Sequence, residues 1–236
     1  MTPGAGAGVP VEVLPVGDEG LLLEVATLDD VLALDAAVRE AVEAGGPVWR
    51  DVTDVVPAAR TVLLLTREGT DLAALARTVR ELAAAGVAHG PGDLVRLTDG
   101  RGGAGTSHEV EIEVRYNGPD LEDVARLTGL SRAEVVAAHT GMPWRVAFGG
   151  FTPGFAYLVG GDPRLVVPRR DHPRPAVPAG SVGLAGMFSG VYPRASPGGW
   201  QLLGTTALVL WDERRDPPAL LTPGTSVRFV DVTAAP

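Results

Sequence analysis

Arginines set among prolines are the side chains of this chain best suited to hold an anion. Arg169, Arg170 and Arg174 stand in the run PRRDHPRP at 168–175. The prolines hold the backbone extended, so the guanidinium groups are presented at low entropic cost and each can bind a carboxylate or phosphate bidentately. Downstream, Pro178 leads a turn into Gly180 and Ser181. Gly180 would let a ligand approach the main chain, and Ser181 offers a hydroxyl and an N–H. Ala179 to Gly183 loosely echoes the elbow of serine hydrolases, but that elbow needs a strand-to-helix turn and no helix follows here. Ser181 therefore reads as a structural or binding hydroxyl. Gly199, Trp200 and Gln201 place an indole and a carboxamide after a flexible turn, where core packing and ligand contact are both open. Phe151, Pro153, Phe155 and Tyr157 belong to a run that supplies barrel core, an aromatic wall, or both, because strand residues alternate between faces.

The four histidines, His89, His108, His139 and His172, lie far apart without the i, i+4 spacing of a metal motif, and there is no cysteine. No metal site is expected. His139 and His172 are the acid/base candidates because imidazole titrates near neutrality, with a structural role as the alternative for each.

The elements that must carry these groups fall into two parts. Val11–Val16 and Leu21–Val25 read as strands about a Gly/Asp/Glu turn. A helix opens at Thr27 with a Thr27/Asp30 capping box and an apolar stripe of Val31, Leu34, Val38 and Val42. Strands near 48–52 and at 61–66 follow, then a helix over about 70–85 with Leu72, Leu75, Val79 and Leu82 on one side. This predicts an α+β N-terminal domain over 9–98, with no catalytic cluster in it.

The glycine-rich DGRGGAGT at 99–106 is the expected linker, about 99–105, because neither a leading strand nor a following helix supports a phosphate loop. A second domain then spans 106–236. Residues 108–115 alternate as a half-buried strand, and two short helices follow over 120–128 and 131–139. The pair imitates a helix-turn-helix, but its second helix carries only Arg132 and His139 beside Glu134, too little cation for a phosphate backbone. From Trp144 onward, short strands punctuated by Gly and Pro predict a mostly-β barrel or sandwich.

Composition narrows the chemistry further. A net charge of −9 argues against nucleic acid as partner, yet between Thr140 and Thr206 six arginines face two acids, which suggests a small anionic ligand. Lysine and cysteine are both absent, which excludes a Walker-type loop, a Schiff base and a thiolate nucleophile. The apolar runs suit strands and fall short of the roughly 20 residues of a spanning helix. The N-terminal residues lack the pattern of a signal peptide, so a cytoplasmic protein without membrane contact is expected.

GFTPGFAYL, PRRDHPRPAVPAGSVGLAG, VYP, SPGGWQLLG and YNGPDLEDVA strongly resemble the KipI-like family, also called the allophanate hydrolase subunit 1 family, whose bacterial members include the B component of the ATP-dependent 5-oxoprolinase. The resemblance implies a cyclophilin-like β-barrel as the second domain. It also implies a subunit that is incomplete alone, acting with a KipA-like (allophanate hydrolase subunit 2-like) partner and a third subunit to open 5-oxoproline to glutamate, with ATP and Mg in the complex. Inhibition of a sensor histidine kinase, or a carboxyltransferase-type role on urea-like amides, are the alternatives it carries; nothing here resembles the biotin carrier the last would need. Two positions depart from the family pattern. Gly204-Thr205-Thr206 stands where an Arg often follows the glycine, and Trp144 where tyrosine is common.

Overall fold

The computed structural model describes residues 8–85 and 109–233, which belong to two compact units, Met1–Leu97 and Thr98–Pro236. The expected linker and the histidines at 89 and 108 lie outside the described residues.

In the first unit, β1 (Glu12–Pro15), β2 (Gly20–Glu24), β3 (Val52–Pro57) and β4 (Thr61–Thr66) form an antiparallel sheet in the order β1-β2-β4-β3. Leu21 and Leu23 of β2 and Val62 and Leu64 of β4 point to one face and are buried, as period-two alternation requires. Helices α1 (Leu28–Ala44) and α2 (Leu72–Ala84) pack on the sheet through Val31, Leu34, Val38, Leu75 and Val79, all of them fully buried. The Thr27/Asp30 capping box is present in both directions, and Gly45 ends α1 in the left-handed conformation. One element differs from expectation: Trp49–Asp51 is a 3₁₀ turn and the strand begins at Val52. The Trp49 amide bonds back to Gly46 O at 2.9 Å, so the chain is still turning where β-propensity alone suggests extension.

The second unit opens with β5 (Glu109–Val114), whose Ile112 and Val114 face inward as the alternation predicts. Helices α3 (Leu121–Thr128) and α4 (Arg132–Gly141) follow, the second with its Ser131/Glu134 capping box formed. Next come β6 (Trp144–Gly149), β7 (Ala156–Gly160), β8 (Arg174–Val177), β9 (Ser181–Ala185), β10 (Phe188–Val191), β11 (Ser196–Gly198), β12 (Gln201–Thr205) and β13 (Ser226–Asp231). Seven of these strands make one sheet in the order β12-β9-β10-β7-β6-β13-β5, with β5 and β13 parallel. The sheet curls until its ends meet. Arg115, just after β5, exchanges two 2.9 Å backbone hydrogen bonds with Thr205 at the end of β12, making the sheet nearly a closed barrel. Gly204 permits that seam, since a Cβ there would sit 2.2 Å from the Arg115 carbonyl oxygen.

The barrel core comprises Ile112, Val114, Leu158, Val182, Leu184, Leu203, Val227 and Phe229, capped by Val124 of α3 and Val135 of α4. A second apolar layer of Phe155, Val177, Ala185, Tyr192, Trp200 and Leu202 is separate from it. β9 shows the division, because Val182 and Leu184 belong to the barrel core and Ala185 to the second layer. The two-stranded ribbon of β8 and β11 supplies Val177 to that layer. Among the described residues no helix is long and apolar enough to cross a membrane.

Candidate functional site

Asp120 organises the arginine arm. It stands at the start of α3 but makes no side-chain capping bond. Its carboxylate, 1% exposed, instead accepts Arg170 Nη1 (2.5 Å) and Arg174 Nη2 (2.7 Å) on Oδ1 and the Leu202 amide (2.7 Å) on Oδ2. A buried carboxylate needs this many donors, since desolvation is otherwise uncompensated. One carboxylate against two guanidiniums leaves one positive charge unbalanced. Three further contacts pin the extended run to the segment 199–201 that leads into β12: Arg170 N to Gly199 O (2.8 Å), Gln201 Nε2 to Pro168 O (3.2 Å) and Arg174 Nη1 to Trp200 O (3.5 Å).

Between this arm and α3 lies a groove of about 320 Å³. Its walls are Asp123, Arg126 and Leu127 on one side and Pro168 to His172 on the other, with Gln201 between them. Asp123 and Arg126 pair with each other at 2.9 Å. Arg169 is exposed and has no ion-pair partner among the described residues. Two buried polar atoms of the groove residues are also unmatched, Gln201 Oε1 and Arg170 Nε.

Beside the arm lies an aromatic layer of seven rings, Phe148, Phe151, Phe155, Tyr157, Phe188, Tyr192 and Trp200, each within 6.4 Å of at least one other. Most contacts are edge-to-face, the arrangement that ring quadrupoles favour. Phe151 stands out at 59% exposed and with φ +66°, a left-handed conformation that costs a phenylalanine about 1–2 kcal/mol. Burial raises the Tyr192 phenol above its ordinary value, opposed first by a hydrogen bond with the Trp200 main chain and then by the charges of Arg169 and Arg174.

The structure thus distributes the predicted site residues unevenly. Arg169, His172 and Gln201 meet in the groove, and Phe151, Phe155, Tyr157 and Trp200 in the aromatic layer, where Trp200 is 4% exposed and Pro153 lies in the turn that carries Phe151. Gly199 serves through its carbonyl, which holds Arg170. Arg174 is not free to take a ligand carboxylate, because Asp120 already occupies it. Pro178, Gly180 and Ser181 form a tight turn before β9. Gly180 (φ +77°) is needed there because a Cβ would lie 2.2 Å from Thr206 O, so protein backbone fills the space a ligand was expected to use. Ser181 is 3% exposed and enters β9.

His139 is a core residue with no exposure. Tyr116 Oη lies 2.7 Å from Nδ1, Ser189 Oγ 2.9 Å from Nε2, and the ring stacks on Phe229. Ser189 Oγ also lies 3.4 Å from Gly183 O. Ser189 and His139 are both fully buried, so a substrate cannot reach this Ser–His pair as a nucleophile with its base. Burial pushes the imidazole down to about 3, keeping it neutral. Trp144, at the position where tyrosine is common in the resembled family, donates its indole N–H to His139 O at 3.0 Å.

Sequence reasoning missed Asp120, which looks like an ordinary helix start. The signal lay in YNGPDLEDVA, where it is the first acid.

The second unit is thus a barrel-like domain with an arginine-lined groove and an adjoining aromatic layer. The family described as "Carboxyltransferase domain, subdomain C and D" matches residues 11–221, and the chain belongs to that family. It is 49% identical over 127 residues to the 5-oxoprolinase B component of Bacillus subtilis (strain 168), covering 52% of this chain and 53% of that protein. It is 54% identical over 127 residues to the 5-oxoprolinase B component of Escherichia coli O157:H7, covering 52% and 58%. The matches thus span little more than half the length of these curated relatives. Among solved structures it resembles TTHA0988, with a TM-score of 0.68 and 35% identity over 90% of this chain and 39% of that one.

Proposed function

We propose that this chain is a subunit of an ATP-dependent 5-oxoprolinase, acting with a KipA-like partner and a third protein in the cytoplasm. The observation that carries the reading is the 49% and 54% identity to two proteins named as the B component of 5-oxoprolinase. The reaction adds water across the lactam C–N bond, so the ring carbonyl becomes the side-chain carboxylate of glutamate and the ring nitrogen its amino group. This chain contributes binding groups, and its partners contribute the groups that activate the carbonyl.

A nucleoside triphosphate with Mg does not fit the groove. At about 320 Å³ it is near the lower end of small-ligand pockets, and among the described residues that line it Arg169 is the arginine without an ion-pair partner. Of the carboxylates in its lining Asp123 is ion-paired with Arg126, so a single one, Asp171, is open to a metal. ATP is therefore assigned to the complex, and no step on this chain is derived through it.

Reconstitution tests the proposal. The three proteins with 5-oxo-L-proline and ATP are expected to form glutamate, and omission of this chain to abolish it. Glutamate formation at an unchanged rate without this chain would refute the assignment.

A further inference from the structure

The turn between β6 and β7 keeps an aromatic ring outside at a conformational cost. The Thr152 N–H donates to Gly150 O, two residues back, at 2.7 Å and closes a three-residue turn centred on Phe151. With φ at +66° this is the strained hand of that turn, which glycine would adopt freely. Phe155 N–H to Thr152 O (3.0 Å) and Gly150 N–H to Phe155 O (3.2 Å) hold the loop shut. The Thr152 hydroxyl is buried without a hydrogen-bond partner, a second mark of strain. Yet the ring so held is 59% exposed and meets the aromatic layer only edge-on, at Phe155 and Tyr192. Backbone strain of this kind clusters at clamps and contact sites, where the loss is offset elsewhere.

A second exposed segment lies against this turn. A Cβ on Gly154 would sit 2.8 Å from Trp211 Cβ and 3.3 Å from Pro193 Cβ. In that segment Val209 and Trp211 are exposed on either side of buried Leu210. Charge nearby cancels, with Asp212, Glu213 and Asp216 against Arg194, Arg214 and Arg215. An apolar patch without net charge, on a chain of −9, does not draw an anionic membrane or a nucleic acid. It suits a protein surface, where aromatic residues on rigid segments act as anchors. We propose that Phe151 anchors a subunit interface: its ring, with Val209 and Trp211 beside it, enters an uncharged apolar pocket on the partner subunit. The closed turn leaves the ring little freedom to lose on contact. In TTHA0988 the matched region makes up 39% of a longer chain, so this fold does occur joined to further protein. The existence of the partner rests on the function proposed above; the surface and its anchor go beyond it.

The test is calorimetric titration of the full chain with the purified KipA-like partner. Phe151→Gly relieves the strained turn and removes the ring, so it should leave the thermal midpoint of the unmixed chain unchanged or raised while weakening the partner by about thirtyfold. Val209→Asp puts a charge into the same interface and should weaken binding at least about tenfold, which keeps the test decisive where the turn itself is disturbed. Met142→Ser, at an exposed apolar position at the other end of β6, should leave the affinity as it is. Unchanged affinity in Phe151→Gly, or an equal loss in Met142→Ser, would overturn the anchor. So would a lowered thermal midpoint with affinity kept, since the ring would then serve its own unit. Glutamate formation that requires this chain but is indifferent to Phe151→Gly and Val209→Asp would overturn the interface and leave the proposed function standing. Binding with these dependences, but no glutamate from any reconstitution, would overturn the function and leave the interface standing. No binding by the unaltered chain would overturn both.

Discussion

His139 should make the barrel unit acid-labile in a way that one substitution removes. The folded imidazole is held down to about 3 by burial, against 6.5 when free. Above 6.5 both folded and unfolded chains carry it neutral, and no pH dependence arises from it. Below 6.5 the unfolded chain binds a proton that the folded chain refuses down to about 3, so stability falls with pH throughout that window. The loss approaches about 1.4 kcal/mol per pH unit, which gives about 2 kcal/mol between pH 7.5 and pH 5. Hydrogen exchange of the β6 and β13 amides reads this unit alone. Carboxylates elsewhere titrate over part of the same range, so the quantity of interest is the difference between the unaltered chain and His139→Gln. The variant should start lower at pH 7.5 by about 1–3 kcal/mol, since Tyr116 Oη or Ser189 Oγ loses its partner. It should then lose about 2 kcal/mol less than the unaltered chain on going to pH 5. Equal losses in both would refute the claim that His139 is buried neutral.

Two further outcomes follow from the arm and the turn beside it. Asp120→Asn removes the charge that offsets Arg170 and Arg174 and should destabilise the barrel unit by about 1.5–3 kcal/mol in urea unfolding, the worth of charge-assisted hydrogen bonds to two part-buried guanidiniums. A loss below about 1 kcal/mol would show that the arm does not depend on this carboxylate. Gly180→Ala forces a Cβ against Thr206 O from a left-handed backbone and should lower the unfolding free energy by more than about 1 kcal/mol; an unchanged thermal midpoint would contradict the packing described for that turn.

Local periodicity made most elements readable. The Thr27 and Ser131 helix starts, the Ile112/Val114 face of β5 and the run of short strands after Trp144 follow from capping chemistry and period-two alternation, which act over a few residues. Arg169, His172 and Gln201, singled out by type, line one groove. What stayed hidden depends on contacts across the chain. Arg174 and Arg169 look equivalent within PRRDHPRP, yet an acid 54 residues from Arg174 neutralises it and leaves Arg169 exposed. Gly180 looks like an opening for a ligand until Thr206, from a later segment, is seen to fill it. His139 sits at ordinary helical spacing, and only closure of the barrel around Phe229 and Ser189 makes it inert.

Asp120 also explains how a strongly acidic chain sustains a cationic groove. A lone buried carboxylate would repel an anion, and three unpaired arginines would repel one another, since like charges at close range in a poorly solvated site are costly. With Oδ1 shared between Arg170 and Arg174, and Oδ2 bound to a main-chain N–H, the carboxylate is spent internally while the pair retains a net positive charge. The same bonds fix the arm against the segment that leads into β12, so Arg169 projects from a held backbone and needs little ordering when an anion arrives. The net charge of −9 is spread over the rest of the chain and discourages nonspecific polyanions. One buried acid thus holds two of the arm's arginines in place and leaves Arg169 exposed.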